Sequence, residues 1–412
     1  MNHVLRLEVM LGGQRVGQLA QGQGPGIFFQ YDEHWLKTGF DIAPGDIRFT
    51  TEAQVCRDTR LFGGLHGVFA DSLPDGWGLI LMNRALRQQA GWLPQEIGPL
   101  DRLAYIGNRG MGALEYRPAA DVPAAPLDWA ELERMGAEAQ RVLAGAADDV
   151  LAALRVHGGS PGGARPKVVV ALHPGLRHCH SSLEPLRPGF RHWLVKFRGP
   201  ADPLDMGATE YAYNRMAEVA GLRVPHAELL DVRLGHTPER LFAVERFDRD
   251  GDHRLHVLSL AGYAYADFRQ PSLDYDQVLG ATMAISRDHQ EVVQAFRLMV
   301  FNVLTHNQDD HAKNFSFLRR DGRWALAPAY DLTFSRTGLQ AQHSTAVNGS
   351  GTPGRRDVLA LARFHRIAQA DALIDEIRGA VARWPEFARA AGVERATVEQ
   401  FGREFAEIDR QF

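Results

Sequence analysis

Asn307-Gln308-Asp309-Asp310-His311-Ala312-Lys313-Asn314, followed by Ala329-Tyr330-Asp331-Leu332, is the stretch on which the reading of this chain turns. An Asp, four residues, an Asn and, one hairpin later, a second Asp form a set that can carry phosphoryl transfer to a hydroxyl. One carboxylate takes the hydroxyl proton, while an amide oxygen and a second carboxylate hold Mg2+ on nucleotide phosphates. The context agrees. Residues 295–304 read as a buried helix, so the polar cluster begins where a core element reaches the surface. Residues 314–318, a turn at Arg320-Asp321-Gly322 and residues 323–326 read as a β-hairpin, with Asp331 just beyond it. Two other readings compete. Asp and Asn are common in any surface loop, so the spacing alone is weak. His306 and His311 flank the two aspartates and suggest a transition-metal site. Five residues apart on a helix, however, they would diverge by about 140°, and there is no C-x-x-C or H-E-x-x-H pair to complete such a site. The decision rests on whether the rest of a nucleotide site is present.

The chain has 412 residues, enough for two or three domains. With 45% hydrophobic and 23% charged residues it is ordinary for a soluble globular protein, and a net charge of −4 gives no basic field directed at nucleic acid. Its two cysteines, Cys56 and Cys179, cannot form a disulfide framework, which fits a reducing compartment. Residues 4–11 alternate like a strand rather than a secretory signal, and no stretch approaches the ~20 apolar residues of a membrane span. A cytoplasmic protein without membrane association is expected.

A Pro/Ala-rich segment at residues 118–126 reads as a linker. The expected organisation is a β-rich subdomain at 1–120, a second region with a glycine-rich loop at 127–258, and a helical lobe at 259–412. In the first, a Gly12-Gly13-Gln14 turn joins strands at 5–11 and 16–20, and residues 27–31 form a third strand. Helices follow at 64–70 and 74–89, with Pro74 in the first turn and Asp75 favoured by the helix dipole. Residues 127–143 read as an amphipathic helix, 168–172 and 192–197 as strands, and 371–381, 384–391 and 395–409 as helices.

The second region offers candidates for the missing nucleotide parts, although taken alone its glycine-rich segment reads as a flexible surface turn and its last strand as merely a strand end. Gly158-Gly159-Ser160-Pro161-Gly162-Gly163-Ala164-Arg165-Pro166-Lys167 leads into a strand, and its glycines let backbone N–H groups turn toward phosphate oxygens. Lys196 sits in an apolar strand, on the face opposite Trp193, Val195 and Phe197. A lysine on a solvated face is the commoner reading; the functional one has it meet nucleotide phosphates and a Glu from the following helix. Glu210 lies in that helix at residues 208–217, with Thr209 as its cap, and is either the partner or a first-turn acid. Residues 241–249 form a strand that turns polar where two lobes would join. Backbone there could meet an adenine edge, and Asp248 a ribose.

Glycine loop, Lys, helix Glu, linker strand, Asp-x4-Asn and Asp occur in this order, and the ordered set resembles the HipA family of bacterial serine/threonine kinases, toxins of type II toxin–antitoxin modules. The resemblance covers nearly the full chain, including Asp71-Ser72-Leu73-Pro74-Asp75-Gly76-Trp77 and Leu103-Ala104-Tyr105-Ile106-Gly107. It implies an α+β, bilobal protein-kinase-like fold with a β-rich N-terminal subdomain and a mainly helical C-terminal lobe. It also implies ATP and Mg2+ as cofactors. Asp309 becomes the catalytic base, Asn314 and Asp331 the metal ligands, and His311, Lys313 and Glu210 supporting residues. Gly162, Gly163, Ala164 and Lys196 meet the phosphates, Glu245 and Phe247 the adenine, and Asp248 the ribose. Ser160 matches the loop serine whose self-phosphorylation silences the kinase. The implied partners are a HipB-like helix-turn-helix antitoxin that brings operator DNA, and a protein acceptor in translation such as an aminoacyl-tRNA synthetase. Residues 1 to about 120 would supply part of the antitoxin's docking surface. Asn307-Gln308 in place of His-Arg, and Leu332-Thr333 in place of Phe-Gly, depart from ordinary protein kinases. Two alternatives stay open: a small-molecule kinase of the same fold, and a non-enzymatic co-repressor.

Overall fold

The computed structural model describes residues 2–24, 26–120, 125–145, 152–158, 162–173, 175, 177–335 and 342–412. Packing divides the chain into two compact units. One comprises Met1–Asp202, Leu230–Leu258 and Gly262–Tyr265; the other comprises Pro203–Leu229, Ser259–Ala261 and Ala266–Phe412.

The first unit holds two five-stranded sheets. In the N-terminal sheet, strands Arg6–Leu11, Gln14–Gln21 and Ile27–Tyr31 form an antiparallel meander, with Gln54–Val55 at one edge and Leu114–Arg117 at the other. Gly12 and Gly13, both at positive φ, make the first hairpin turn that the sequence indicates. Two helix expectations need correction. Only Gly67–Ala70 of the 64–70 segment is α-helical, and the long helix runs Gly76–Ala90 rather than from Pro74. Pro74 therefore precedes the helix, and Asp75 is its N-cap residue.

The second sheet has the order His178–Ser181, Lys167–His173, Arg191–Lys196, Thr237–Glu245, Ala227–Leu234. Alternation gives it two different faces. Val168, Val170, Leu172, Trp193, Val195, Leu241 and Ala243 point into one apolar core, which is covered by helices Gly76–Ala90, Trp129–Leu143 and Ala152–Gly158. The other face carries Lys167, Lys196 and Phe242 in line across three strands, because Lys167 pairs with Lys196 and Lys196 with Phe242.

In the second unit, helices Met206–Val219, Tyr275–Ser286, His289–Leu304, Arg355–Phe364, Ala370–Val381, Trp384–Ala391 and Arg395–Asp409 surround an aromatic core. Tyr213 packs its ring against Phe301, Trp384 and Phe405. The first of these helices begins before Thr209, which is buried within it; Asp205, not Thr209, is the N-cap residue. None of the helices among the described residues is long and apolar enough to cross a membrane.

Candidate active site

Helix His289–Leu304 ends in the core of the second unit, where Thr305 N donates to Phe301 O. His306 then takes a left-handed backbone (φ 54°) and turns the chain out of the helix axis. The emerging loop is held on one side by Ser335, whose N–H donates to His306 O and whose carbonyl accepts from Gln308 N. On the other side Ser344 donates both its N–H and its hydroxyl to Gln308 O, each at 3.0 Å. Asp309 is exposed, while its neighbour Asp310 is fully buried. Asn314 closes the loop by donating Nδ2–H to Asp309 O at 2.7 Å, which leaves its Oδ1 as an acceptor.

The hairpin forms as the sequence indicates, with strands Ser316–Arg320 and Arg323–Leu326. Asp321 and Gly322 both have positive φ, the geometry of a two-residue hairpin loop. The hairpin returns the chain to its start: Ala327 N donates to Ser316 O at 2.8 Å. Tyr330 then donates to Lys313 O and bonds Ser316 Oγ at 2.7 Å. Asp331 follows directly, in left-handed backbone at φ 58°. A non-glycine residue in that region carries about 1 kcal/mol or more of strain, which tertiary contacts must offset. These bonds return the segment ending in Asp331 to the end of the Asp309 loop. His311 and Lys313 both lie against the Phe268 ring, with Lys313 Nζ 4.4 Å from its centroid. His306 instead packs on Phe334 and approaches Glu404, so the two flanking histidines have different surroundings.

On the first unit the end of the glycine loop is docked. Gly163 donates its N–H to the Asp75 carboxylate, and Trp77 N donates to Gly163 O at 3.0 Å. Gly163 has φ 91°, open to glycine at little cost. Gly76 is required for another reason, since a Cβ there would lie 2.6 Å from Gly163 O. Trp77 Nε1 donates to Lys167 O, and Lys167 Nζ donates to Gly162 O at 2.6 Å. Lys196 is 8% exposed, not on a solvated face, and its Nζ lies 5.7 Å from the Phe242 ring centroid. Ser160, with Gly159 and Pro161, lies outside the described residues. Glu210 is buried in a helix of the second unit, so Lys196 and Glu210 belong to different units.

The linker-strand residues are placed differently from one another. Glu245 accepts from Arg191 at 2.9 Å, and Phe247 is half-buried. Asp248 is buried at 2% exposure, and its carboxylate accepts from Arg246, Arg249 and the Gly112 N–H. Burial alone would push its pKa up, but Arg246 and Arg249 hold it well below the usual carboxylate range. The same burial, with Arg246 nearby, pushes the Arg249 guanidinium down to about 9. Arg254 adds bonds to the carbonyls of Gly110 and Gly112. With its oxygens engaged in this way, Asp248 ties the 110–112 segment to the linker strand.

Residues 7–117 match the model of the HipA N-terminal domain, and residues 159–409 match that of the HipA-like C-terminal domain. The chain belongs to the HipA family. Two curated proteins of Sinorhizobium fredii, both named as candidate kinases, are similar to it. Y4dM is 28% identical over 172 residues, 39% of this chain and 41% of that protein. Y4mE is 26% identical over 351 residues, 79% of this chain and 76% of that protein. The solved HipA of Shewanella oneidensis MR-1, in complex with HipB and operator DNA, aligns with a TM-score of 0.69 at 18% identity, covering 98% of this chain and 97% of that one. The fold is thus the α+β, bilobal, kinase-like fold of HipA.

Asp75, Lys167 and Asp310 carry geometry that the sequence reading did not assign. The available signals were slight: an Asp-Gly-Trp at a helix start, a lysine opening an apolar strand, and two adjacent aspartates in one loop.

Proposed function

We propose that this HipA-family chain is an ATP-dependent serine/threonine kinase that acts as the toxin of a toxin–antitoxin module in the cytoplasm. The observation that carries the reading is the Asp309 loop. An exposed carboxylate stands beside a buried one, an Asn closes the loop onto the base residue's own carbonyl, and a hairpin returns Asp331 to the loop's end.

In the proposed reaction, Asp309 orients the acceptor hydroxyl and takes its proton as the oxygen attacks the γ-phosphorus. The bond from that phosphorus to the β–γ bridging oxygen breaks, and ADP leaves with the electron pair. Asn314 Oδ1 and the Asp331 carboxylate make an all-oxygen donor set, which suits Mg2+ rather than zinc. Held there, Mg2+ would neutralise charge on the phosphate oxygens. Lys167 and Lys196 share one face of their sheet, and two neighbouring cations favour a polyanion such as the triphosphate. Glu245 and Phe247 are assigned to the adenine side, His311, Lys313 and Glu210 to support. Asp248 is left to its arginines.

By the same proposal the regulator is a HipB-like helix-turn-helix antitoxin, the component that contacts operator DNA. The acceptor is a translation protein such as an aminoacyl-tRNA synthetase. Ser160 is the self-phosphorylation site. The test is incubation with γ-labelled ATP and Mg2+, followed by phosphoamino-acid analysis. Label on serine or threonine that chelation abolishes supports the reading. Label recovered only in a small hydroxyl compound would replace it with small-molecule phosphorylation. Ser160→Ala is expected to remove most self-labelling; undiminished label in that variant would move the modified residue elsewhere.

Asp75 gives a separate prediction. Its carboxylate fixes Gly163, and a hydrogen bond to a charged group contributes about 1.5–3 kcal/mol. Asp75→Ala is therefore expected to weaken ATP binding roughly tenfold, read by titration calorimetry, with turnover at saturating ATP nearly unchanged. Unaltered affinity would remove Asp75 from phosphate-loop positioning.

A further inference from the structure

Asp310 is fully buried, yet it is a carboxylate next to the exposed Asp309. A buried carboxylate is tolerated only when its oxygens are satisfied. Here they are. Tyr275 donates its hydroxyl to Asp310 Oδ2 at 2.9 Å, His343 Nδ1 lies 2.9 Å from the same oxygen, and Thr345 N donates to Oδ1 at 3.2 Å. Thr345 also donates its hydroxyl to the Asp310 carbonyl. Burial first, and then the Asp310 charge, push the Tyr275 phenol well above its ordinary value, so it stays a donor.

Behind this cluster the network reaches the start of the loop. Asn302 Nδ2 donates to the Tyr275 hydroxyl, and Asn307 Nδ2 donates to Asn302 Oδ1 at 3.0 Å. The segment that supplies His343 and Thr345 is itself anchored. Strand Thr345–Ala346 pairs in parallel with Leu273–Asp274, and the Asp274 carboxylate accepts from the N–H groups of Asn348 and Gly349.

We propose that His343 and Thr345, in the segment following Asp331, are positioning residues that fix the catalytic loop by clamping Asp310. This rests on the phosphotransfer reading of the Asp309 site. With Asp310 held inward by three donors to its carboxylate and one to its carbonyl, Asp309 is directed to solvent. Ser344, between the two clamping residues, holds Gln308 in the same way. His306, Asn307, Gln308 and Asp310 are thus positioned by bonds from outside the loop, on both sides of Asp309. The device acts on the rate of transfer and not on nucleotide binding, because none of its members is a proposed ATP or Mg2+ ligand.

The test uses the full chain with two variants of different severity. His343→Ala removes a donor, and Thr345→Val removes only the hydroxyl bond at nearly constant shape. An error of about 1 Å in a reacting group can cost on the order of 10²-fold in rate. His343→Ala is expected to lower kcat by about 10- to 100-fold, with KM and calorimetric affinity for ATP nearly unchanged. His343→Asn, which keeps a donor close to the Nδ1 position, is expected to restore most of the rate, and Thr345→Val to lower it more mildly. Loss of ATP affinity in parallel with the rate, or an unaffected kcat in both variants, would overturn the proposal. A second arm needs no activity. Amide hydrogen exchange across 306–310 is expected to accelerate in His343→Ala, and unchanged protection there would overturn the clamp. If the wild type transfers no phosphate at all, the kinase reading fails while the exchange arm still decides the clamp.

Discussion

Asp309→Asn is expected to lower phosphoryl transfer by about 10³-fold while leaving ATP affinity nearly unchanged. A positioned general base contributes roughly 10²–10⁴-fold, and the substitution removes the base at nearly constant side-chain shape. The contact that closes the loop runs from Asn314 Nδ2 to the Asp309 backbone carbonyl, which the substitution keeps. The bonds at Gln308 and Asp310 are likewise untouched. Single-turnover transfer measured beside calorimetric ATP binding checks this. A residual rate within tenfold of wild type would remove Asp309 as the base.

Asp248→Ala is expected to act on stability instead. Removing one member of a buried ion cluster leaves the others uncompensated, which costs about 3–5 kcal/mol. Arg246 and Arg249 would lose their shared carboxylate and the Gly112 N–H its acceptor. The pH dependence follows from the depressed pKa. The contribution is fully present above the unfolded carboxyl value of 3.8 and is lost as pH falls through the lower folded value. In chemical denaturation the gap between wild type and variant should therefore be constant near neutrality and narrow in acid, starting below about pH 4. Adding Arg249→Met to Asp248→Ala should recover part of the loss, since it removes one stranded charge. Unchanged stability with a large drop in ATP affinity would return Asp248 to the ribose.

Some of this is displayed in the sequence and some is not. Periodicity located most elements well. Ile27–Tyr31, Trp384–Ala391 and Arg395–Asp409 were expected at those bounds, because their turn, cap and apolar signals are local. The start of helix Gly76–Ala90 was misplaced because Asp75 spends its carboxylate on Gly163, a residue 88 positions away. Local propensity has no means of registering that contact. Lys196 follows the same pattern. Strand alternation gives its face correctly, yet a lysine between apolar neighbours reads more readily as solvated than as buried, and buried is how the structure has it. In the Asp309–Asp310 pair, both residues look alike in one dimension. Only the distant Tyr275, His343 and Thr345 determine which carboxylate turns inward.

The most direct measurement counts ADP released against phosphoryl groups appearing on serine or threonine, for wild type and Asp309→Asn at saturating ATP and Mg2+. The account predicts one phosphoryl group transferred per ADP in the wild type, and both signals lost together in the variant. ADP release that persists in Asp309→Asn, or transfer that does not need Asp309, would contradict it.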